Sequence, residues 1–408
     1  MKKIKTLLKL SSLLALGMSF FTACSNGATT ANPPAHIPIS IGSGLNGDGI
    51  NTMYVSITLC TDNAGTNCQT IDHIILDTGS FGLKINKSAL PESFILQMPR
   101  VATNDDHMVY ACNTFGSGYV FAEEHYGVLK LANTMTNNVI VQVIENSPTA
   151  EIPDNCVAKG PFDDFANFGA NGIIGVNPAI SLDNSSILLY KKDVNGDYVA
   201  LSQNEESQVP ILNINPLPNL SSNGNGFVIS IPPVPQNTNT NVSGTMILGI
   251  NTSSLNQVTS KTNLVVASES DLSSVCNSAC FYSQITDPES TIPAVFDSGT
   301  NSWVFMNNDL QSSACSYGYC PESPFTWTST VYSYDFAANE SYVITGVITK
   351  DETNPSGDTV SFSVMPGWGY YNYDNETLYG SPFFFGKNVY VIFPSSKNKN
   401  PIWGFESY

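Results

Sequence analysis

Two short segments of the chain each place an aspartate among hydroxyl-bearing residues and a glycine. They read Asp77, Thr78, Gly79, Ser80 and Asp297, Ser298, Gly299, Thr300. Hydroxyl groups and backbone amides can stabilise a carboxylate that an apolar environment would otherwise keep from ionising. Two carboxylates held close together cannot both ionise readily, so one keeps its proton and the pair titrates as a unit. Such a pair can offer a general base and a general acid to the same reaction.

Apolar runs flank both segments and must position the two aspartates. Residues 74–76 and 81–85 surround the first aspartate, and residues 294–296 and 303–305 surround the second. Apolar runs of this length around a glycine-containing turn predict buried strands, so each carboxylate should lie where one strand ends and the next begins. A single copy would favour a loop aspartate that only accepts backbone hydrogen bonds. Two copies with matching flanks favour one shared site built from two halves of the chain.

The signature D-T/S-G-S/T, present once in each half, resembles the active-site motif of the pepsin-like aspartic proteases. Segments that resemble other motifs of that family follow in the family's order at residues 171–175, 244–249, 378–380, 389–393 and 402–405. The resemblance covers most of residues 50–408 and implies an all-β, two-lobed pepsin-like fold. Each lobe would be a curved or barrel-like sheet, with a pseudo-two-fold axis through the active-site cleft. The chain also resembles a branch of bacterial lipoproteins that carries the same two motifs, and this second resemblance implies no activity.

The first resemblance implies that Asp77 and Asp297 are catalytic and hold one water molecule between them. The ionised carboxylate would take a proton from the water as the water attacks a peptide carbonyl. The protonated carboxyl would stabilise the oxyanion that develops. The implied function is an aspartic endopeptidase that acts on a peptide or protein substrate. No cofactor and no metal is expected.

The resemblance also gives the neighbouring loop residues supporting roles. Ser80 and Thr300 would hydrogen-bond the outer carboxylate oxygens. Thr78 and Ser298 would lock the two active-site loops to each other. The glycines of the two motifs belong to the same supporting set.

Residues 109–131 predict a β-hairpin, and its tip, Phe115-Gly116-Ser117-Gly118, resembles the flap of the family. The flap usually carries a tyrosine that hydrogen-bonds a tryptophan seven residues after the first catalytic aspartate. This chain has Phe115 and Lys84 at the two positions, so both ends of that bond are changed together. The resemblance implies a flap or substrate-binding role for these residues. Two alternatives stay open: Tyr110 or Tyr119 takes the tyrosine's place, or Phe115 is an ordinary exposed hairpin residue.

The sequence leaves more than one function open, because a fold can outlive an activity. Retention of both aspartates and all four flanking hydroxyls favours the endopeptidase. The changes at Lys84 and Phe115 favour an altered specificity, or a non-catalytic protein of the same fold that binds peptide or protein partners. A glycosidase with two carboxylates is a third hypothesis. The paired D-T/S-G context argues against it.

Nine cysteines occur in the chain, and the eight that follow Cys24 form an even number, which predicts disulfides in an oxidising compartment. Three pairs are close in sequence: Cys60 with Cys68, Cys276 with Cys280, and Cys315 with Cys320. The second of these resembles a small loop that precedes the second aspartate in pepsin-like enzymes. If all three form, Cys112 and Cys156 are left to bond each other, although the sequence does not fix the connectivity. Metal binding is the alternative, but the histidines are not spaced with the cysteines as zinc ligands are.

Residues 1–23 predict a targeting segment, with lysines at positions 2, 3, 5 and 9 before an apolar stretch at 10–21. The following residues 21–24 resemble a bacterial lipoprotein cleavage box, which predicts lipidation at Cys24 and a tether over residues 24–35. An ordinary secretory signal cleaved near Ala23 is the alternative. The expected location is the bacterial cell envelope. Ser25 after the cysteine implies the outer membrane, with its periplasmic or surface face left open.

Charge and length bound the remaining properties. The net charge is −18, and removal of the four targeting lysines makes it −22. Such a chain is not expected to bind nucleic acid by charge. The length suits two β lobes, predicted over residues 36–225 and 226–408, in a monomer. No apolar run of membrane-spanning length follows the targeting segment.

Overall fold

The computed structural model describes residues 35–47, 49–145, 152–162, 165–182, 187–234, 241–269, 279–285, 290–311, 314–315, 318–335, 341–349, 364–367, 369–371 and 376–408. Within these ranges no helix is both long enough and apolar enough to cross a membrane.

Strands dominate the described chain. Those up to residue 231 are β1 (His36–Gly42), β2 (Thr52–Cys60), β3 (Cys68–Asp77), β4 (Phe81–Asn86), β5 (Tyr110–Phe115), β6 (Gly118–Leu131), β7 (Thr134–Ile144), β8 (Gly172–Val176), β9 (Ser181–Leu182), β10 (Leu188–Lys192), β11 (Tyr198–Ala200), β12 (Asn213–Ile214) and β13 (Gly226–Ile231). Those that follow are β14 (Val242–Leu248), β15 (Asn263–Val266), β16 (Phe281–Ile285), β17 (Ser290–Phe296), β18 (Trp303–Phe305), β19 (Ala314–Cys315), β20 (Gly318–Tyr319), β21 (Phe325–Tyr332), β22 (Ser341–Ile348), β23 (Gly369–Tyr371), β24 (Thr377–Tyr379), β25 (Lys387–Ile392) and β26 (Ile402–Ser407).

Helices are short wherever the chain is described. The α-helices are α1 (Glu92–Ile95), α2 (Asp154–Val157), α3 (Gln203–Glu206), α4 (Asn308–Gln311) and α5 (Ser381–Phe384). The 3-10 helices span Lys87–Ala89, Phe165–Phe168 and Leu217–Asn219. The prediction of an all-β protein is confirmed.

Six strands of the first half close into a barrel. They follow the order β6-β7-β4-β8-β3-β2, and β6 then pairs with β2 to close the ring. Such strands form because their residues are β-branched or aliphatic and alternate between the two faces. Leu83 on β4, for example, lies opposite Ile174 on one neighbouring strand and Val141 on the other, and all three are buried. The aspartate that ends β3 is thus carried by a packed, closed sheet.

One continuous sheet joins the two halves of the chain. Beyond β2 it continues through β1, β14, β13, β25, β26 and β15. Within this sheet β13 pairs with β25 and β25 pairs with β26, which brings together the motif-like segments at 389–393 and 402–405. The predicted boundary at residue 225 lies one residue before β13. β1 comes from the start of the chain but pairs with β14 over six positions.

A second sheet of seven strands carries the other aspartate. Its order is β22-β21-β16-β17-β24-β18-β23. Its core is aromatic where the barrel core is aliphatic. The ring of Phe296 stacks on Phe383 at 4.1 Å and meets Phe281 at 4.6 Å and Trp403 at 5.5 Å between ring centres. Offset and edge contacts of this kind add to the burial energy of aromatic side chains. They fix the end of β17, which leads directly into Asp297.

The strands around the two aspartates repeat one arrangement. In the first half, β8 lies parallel to β3 and antiparallel to β4, and β4 lies parallel to β7. In the second half, β24 lies parallel to β17 and antiparallel to β18, and β18 lies parallel to β23. The motif-like segments at 171–175 and 378–380, each of which ends in an apolar-apolar-glycine sequence, therefore lie beside the strands that lead into the two aspartates. The repeat is a duplication of a four-strand unit.

Candidate active site

Both aspartates lie at the carboxyl ends of central strands. Asp77 is the last residue of β3 and lies opposite Gly175 of β8. Asp297 follows β17, and its amide donates a hydrogen bond of 3.0 Å to the carbonyl of Tyr379 on β24. The residues just after β8 and β24 contact the active-site loops, and the amide of Asn177 donates to the carbonyl of Ser80 at 3.0 Å. The amide of Ser381, the first residue of α5, likewise donates to the carbonyl of Thr300 at 2.7 Å. Corresponding strands thus hold both loops in the same way.

Each aspartate receives its hydrogen bonds from its own loop. The amide of Gly79 donates to Oδ1 of Asp77 at 2.7 Å, and the hydroxyl of Ser80 donates to Oδ2. The amide of Gly299 donates to Oδ1 of Asp297 at 2.9 Å, and the hydroxyl of Thr300 donates to Oδ2 at 2.6 Å. These are the contacts that the sequence predicts for Ser80 and Thr300. They stabilise a carboxylate inside the protein.

The two carboxyl groups face each other at hydrogen-bonding range. A Cβ atom added at Gly79 would lie 2.6 Å from Cγ of Asp297, and one added at Gly299 would lie 2.5 Å from Cγ of Asp77. Each glycine is therefore required because the opposite aspartate packs on it. Asp77 is only 5% exposed, whereas Asp297 is partly exposed.

The environment of Asp77 disfavours its charged form. Burial, followed by the nearby charge of Asp297, raises the pKa of Asp77 well above its ordinary value. The hydrogen bonds from Ser80 and Gly79 oppose this rise. Asp77 is therefore the member of the pair that tends to keep a proton, and the pair titrates as a unit.

Thr78 and Ser298 join the two loops. The hydroxyl of Thr78 donates to the carbonyl of Phe296 at 2.7 Å and accepts from the amide of Ser298 at 2.9 Å. Reciprocally, the hydroxyl of Ser298 donates to the carbonyl of Leu76 at 2.7 Å and accepts from the amide of Thr78 at 3.1 Å. Both side chains are buried. The four bonds fix the loops relative to each other, as the sequence predicts for these two residues.

Two further residues support the second loop, and the sequence did not indicate either. The side-chain nitrogen of Asn51 donates to the carbonyls of Asn301 at 2.7 Å and Met365 at 2.9 Å, and its side-chain oxygen accepts from the backbone amide of Met365. The hydroxyl of Ser381 donates to the carbonyl of Ser298 at 3.1 Å. The apolar-apolar-glycine segment before Ser381 was a usable signal. No local pattern pointed to Asn51, because its partners lie at least 250 positions away.

The predicted hairpin is confirmed. β5 and β6 pair from Tyr110 opposite Glu123 to Phe115 opposite Gly118, so the turn consists of Gly116 and Ser117. Phe115 ends β5 and is partly exposed, and its ring meets the ring of Phe165 at 5.7 Å. The tip is therefore in contact with the 3-10 helix Phe165–Phe168.

Lys84 lies beneath this hairpin. Its side chain is only 2% exposed, and its ammonium lies 5.6 Å from the centre of the Phe115 ring. The two positions that depart together from the family pattern are thus in contact. A cation–π contact stands where the resemblance implies a tyrosine–tryptophan hydrogen bond.

Two of the predicted cysteine pairs are confirmed. Cys60 is bonded to Cys68, and Cys112 is bonded to Cys156. Cys280 and Cys320 are each in a disulfide bond. The expected partners, Cys276 and the side chain of Cys315, lie outside the described residues, as does Cys24. Among the residues that are described, no group of three or more His, Cys, Asp or Glu side chains could hold a metal ion.

Comparison with known proteins identifies the family. A family model whose description reads "Protein of unknown function (DUF3443)" matches residues 30–405. The chain belongs to the DUF3443 family. No curated protein matches the sequence of this DUF3443 protein. Its structure is similar to the crystal structure of aspartic proteinase from Irpex lacteus, with a TM-score of 0.51 and 13% sequence identity. The match covers 92% of this chain and 97% of that one.

The similarity establishes the fold. This DUF3443 protein is all-β and has the two-lobed, pepsin-like architecture that the motif order implies. At 13% identity the likeness carries no activity with it. The function must therefore be argued from the site itself.

Proposed function

We propose that this DUF3443 protein is an aspartic endopeptidase that hydrolyses peptide bonds with a water activated between Asp77 and Asp297. The observation that carries the proposal is the paired geometry of the two carboxyl groups. They face each other at hydrogen-bonding range, each is bound by its own loop, and hydroxyl bonds lock the two loops together. A structural loop aspartate needs none of this reciprocity.

The environments of the two carboxyl groups suggest different roles. Asp77 is the more buried member and keeps a proton, because burial and the neighbouring charge both raise its pKa. The partly exposed Asp297 is then the base that takes a proton from water as the water oxygen attacks the carbonyl carbon. Asp77 gives its proton to the carbonyl oxygen and so stabilises the tetrahedral intermediate. When the carbon–nitrogen bond breaks, Asp297 passes its proton to the leaving nitrogen, and Asp77 recovers one from the intermediate.

Substitution of each aspartate tests this proposal. Asp77→Asn and Asp297→Asn should each lower peptide cleavage between about a hundred-fold and ten-thousand-fold, because each removes one of two different proton roles. The assay is cleavage of a peptide library by the purified protein from acid to neutral pH, with and without pepstatin. Asp72→Asn is a matched control, because Asp72 lies on the same strand with an exposed side chain. Full activity in either active-site variant, or no activity in the wild-type protein, would refute the proposed endopeptidase activity.

The hairpin supports a second candidate, a non-catalytic protein of the same fold that binds peptide or protein partners. Its tip packs on Phe165, and Lys84 fills the space beneath it. A hairpin held in this way suits a binding groove as well as a catalytic one. Wild-type protein that binds peptides measurably but never cleaves them would favour this candidate.

The proposed location is the bacterial cell envelope, with a lipid anchor on Cys24. The proposal rests on the sequence of residues 1–24, in which basic, apolar and cleavage-box segments occur in the order of a lipoprotein signal. Mass spectrometry of the amino-terminal peptide tests it. A diacylated cysteine at position 24 would support the anchor, and an unmodified terminus after Ala23 would contradict it.

A further inference from the structure

Lys84 occupies an unusual position for a lysine. It lies in the middle of β4, between Gln142 of β7 and Ile173 of β8 in the sheet register. Its neighbours in sequence, Leu83 and Ile85, pack into the barrel core, so Lys84 is on the opposite face of the strand. At 2% exposure its ammonium is removed from water, which is costly unless other groups replace the water.

Two groups replace water around the ammonium. The nitrogen donates to the carbonyl of Phe81 at 2.7 Å and to the side-chain oxygen of Asn213 at 3.1 Å. Phe81 directly follows Ser80, whose hydroxyl binds the carboxyl of Asp77. The first contact therefore places Lys84 against the end of the first active-site loop.

The second contact leads to the hairpin. The side-chain nitrogen of Asn213 donates to the side-chain oxygen of Asn113 at 2.8 Å, and Asn113 lies on β5, two residues before Phe115. The ring of Phe115 also faces the ammonium at 5.6 Å. Lys84 is thus connected to β5 both at its tip and through an asparagine pair.

Two carboxyl groups act on the ammonium electrostatically. Burial lowers the pKa of Lys84 to about 8, and the charges of Glu124 and Asp77 oppose this change. Glu124 lies on β6 and is fully buried, with the side chain of Gln142 beside its carboxyl group. The remaining groups packed around Lys84, namely Gln142, Ile173, Asn213 and Phe115, carry no ionisable side chain.

Interaction between two charges is mutual. If the carboxylate of Asp77 favours the charged form of Lys84, then the ammonium favours the charged form of Asp77 to the same extent. Under the proposed function Asp77 must give up its proton to the carbonyl oxygen. A positive charge nearby makes Asp77 the stronger acid, which aids that transfer.

We propose that Lys84 is a positioning residue that joins the first active-site loop to the β5–β6 hairpin and holds a positive charge toward Asp77. This role rests on the proposed function, in which Asp77 is the proton donor. At 2% exposure Lys84 is not placed to touch a substrate itself. It acts through the loop, the hairpin and the charge of Asp77.

The test follows the titration of Asp77 directly. Carboxyl carbons labelled with ¹³C are monitored by NMR as the pH changes, and the Asp77 signal is assigned with Asp77→Asn. In Lys84→Met the midpoint of the Asp77 titration should move to higher pH, because the favourable charge is gone. Amide hydrogen exchange in β5 and β6 should also become faster than in the wild type.

Lys387 provides a matched control. Its ammonium binds the carbonyl of Phe383 at 2.8 Å and lies 4.9 Å from the ring of that residue, and burial lowers its pKa to about 8. It therefore has the same kinds of contact as Lys84 without a partner in either active-site loop. Lys387→Met should leave the titration of Asp77 and the exchange of β5 and β6 unchanged.

A second variant guards against misfolding. Lys84→Met also removes the ammonium that acts on the buried carboxyl group of Glu124, so Lys84→Met/Glu124→Gln removes both groups together. The upward shift of Asp77 is required of this double variant too. An Asp77 titration identical to the wild type in the double variant would overturn the proposal. The titration of Asp77 is measured without substrate. A wild-type protein that cleaves no peptide would therefore refute the proposed peptidase activity, and the role of Lys84 would still be decided by the titration.

Discussion

Lys84 and Glu124 are two buried ionisable residues outside the aspartate pair, and their pKa values move in opposite directions. Burial raises the pKa of Glu124 from 4.5 to about 8 and lowers that of Lys84 from 10.5 to about 8. In the folded protein Glu124 therefore stays neutral, and Lys84 stays charged, up to about pH 8. Stability must then depend on pH in a way that the exposed carboxylates do not produce.

The sign of this dependence follows from the number of protons bound. Between pH 4.5 and about 8 the folded state keeps a proton on Glu124 that the unfolded state has released, so the free energy of unfolding falls as the pH rises. The raised pKa of Asp77 acts in the same direction. From about 8 to 10.5 the unfolded state holds the extra proton on Lys84, so stability rises again. We expect a minimum of stability near pH 8, measured by urea unfolding at a series of pH values.

Glu124→Gln should reduce the fall in the free energy of unfolding between pH 4.5 and 8, by a few kcal/mol at most. Its neighbour Glu123 is a matched control, because a hydrogen bond from His125 lowers the pKa of Glu123. The stability that Glu123 contributes is present above its unfolded pKa and is lost at lower pH. Glu123→Gln should therefore not change the loss of stability that occurs as the pH rises from 4.5 to 8. Equal pH profiles for wild type and Glu124→Gln would contradict the argument.

The β5–β6 hairpin is held near its tip by the segment 152–162. Cys112 on β5 is bonded to Cys156, and the amide of Tyr119 on β6 binds the carbonyl of Pro161 at 2.9 Å. A Cβ atom at Gly118 would lie 2.1 Å from the same carbonyl oxygen, so this close approach requires glycine. Both strands of the hairpin are thus attached to one segment. In enzymes that gate substrate with a mobile loop, such an attachment limits opening.

Cys112→Ser/Cys156→Ser should therefore loosen the hairpin specifically. We expect faster amide exchange in β5 and the start of β6, and a change in KM or in peptide affinity. Cys60→Ser/Cys68→Ser is the matched control, because that bond joins β2 to β3 and lies beside the far end of β6, away from the hairpin tip. Chain-entropy estimates put the loss at about 4 kcal/mol for the 44-residue separation and about 2.5 kcal/mol for the 8-residue one. If both variants had lower melting temperatures but unchanged amide exchange in the hairpin, the Cys112–Cys156 disulfide would stabilise the fold as a whole and not the hairpin specifically.

Local patterns made the active-site elements predictable from the sequence. Apolar runs and a glycine turn around Asp77 specify two strands and the loop between them within twelve residues, 74–85, and the same holds at Asp297 over residues 294–305. The groups that support the loops were not predictable in this way. Asn213 reaches Lys84 across 129 positions, and Asn51 reaches Met365 across 314. Such polar pairs have no periodicity, and only the folded topology brings their partners together.

At the scale of the whole molecule, two of the contacts that join the halves determine how the aspartates meet. One is the continuous sheet, in which β1 from the start of the chain lies between β2 and β14. The other is the buried set of four bonds between Thr78 and Ser298 and the opposite strands. The sheet determines which halves meet. The hydroxyl bonds determine how the two aspartates face each other, and a shared water requires both.

Thr78→Val tests the second contact, since valine keeps the shape of threonine and removes the hydroxyl. The carbonyl of Phe296 and the amide of Ser298 would each lose a partner in a buried site. Each unsatisfied buried group costs about 1–3 kcal/mol, so for two groups we expect a loss of about 2–6 kcal/mol in urea unfolding together with a marked loss of peptide cleavage. Thr58→Val is the control, because its hydroxyl meets that of Thr70 at 2.9 Å on the exposed side of the barrel. A change of about 0.5 kcal/mol or less is normal at such a surface position. If Thr78→Val proved no more costly than Thr58→Val and kept full activity, the loops would be positioned by the sheet alone.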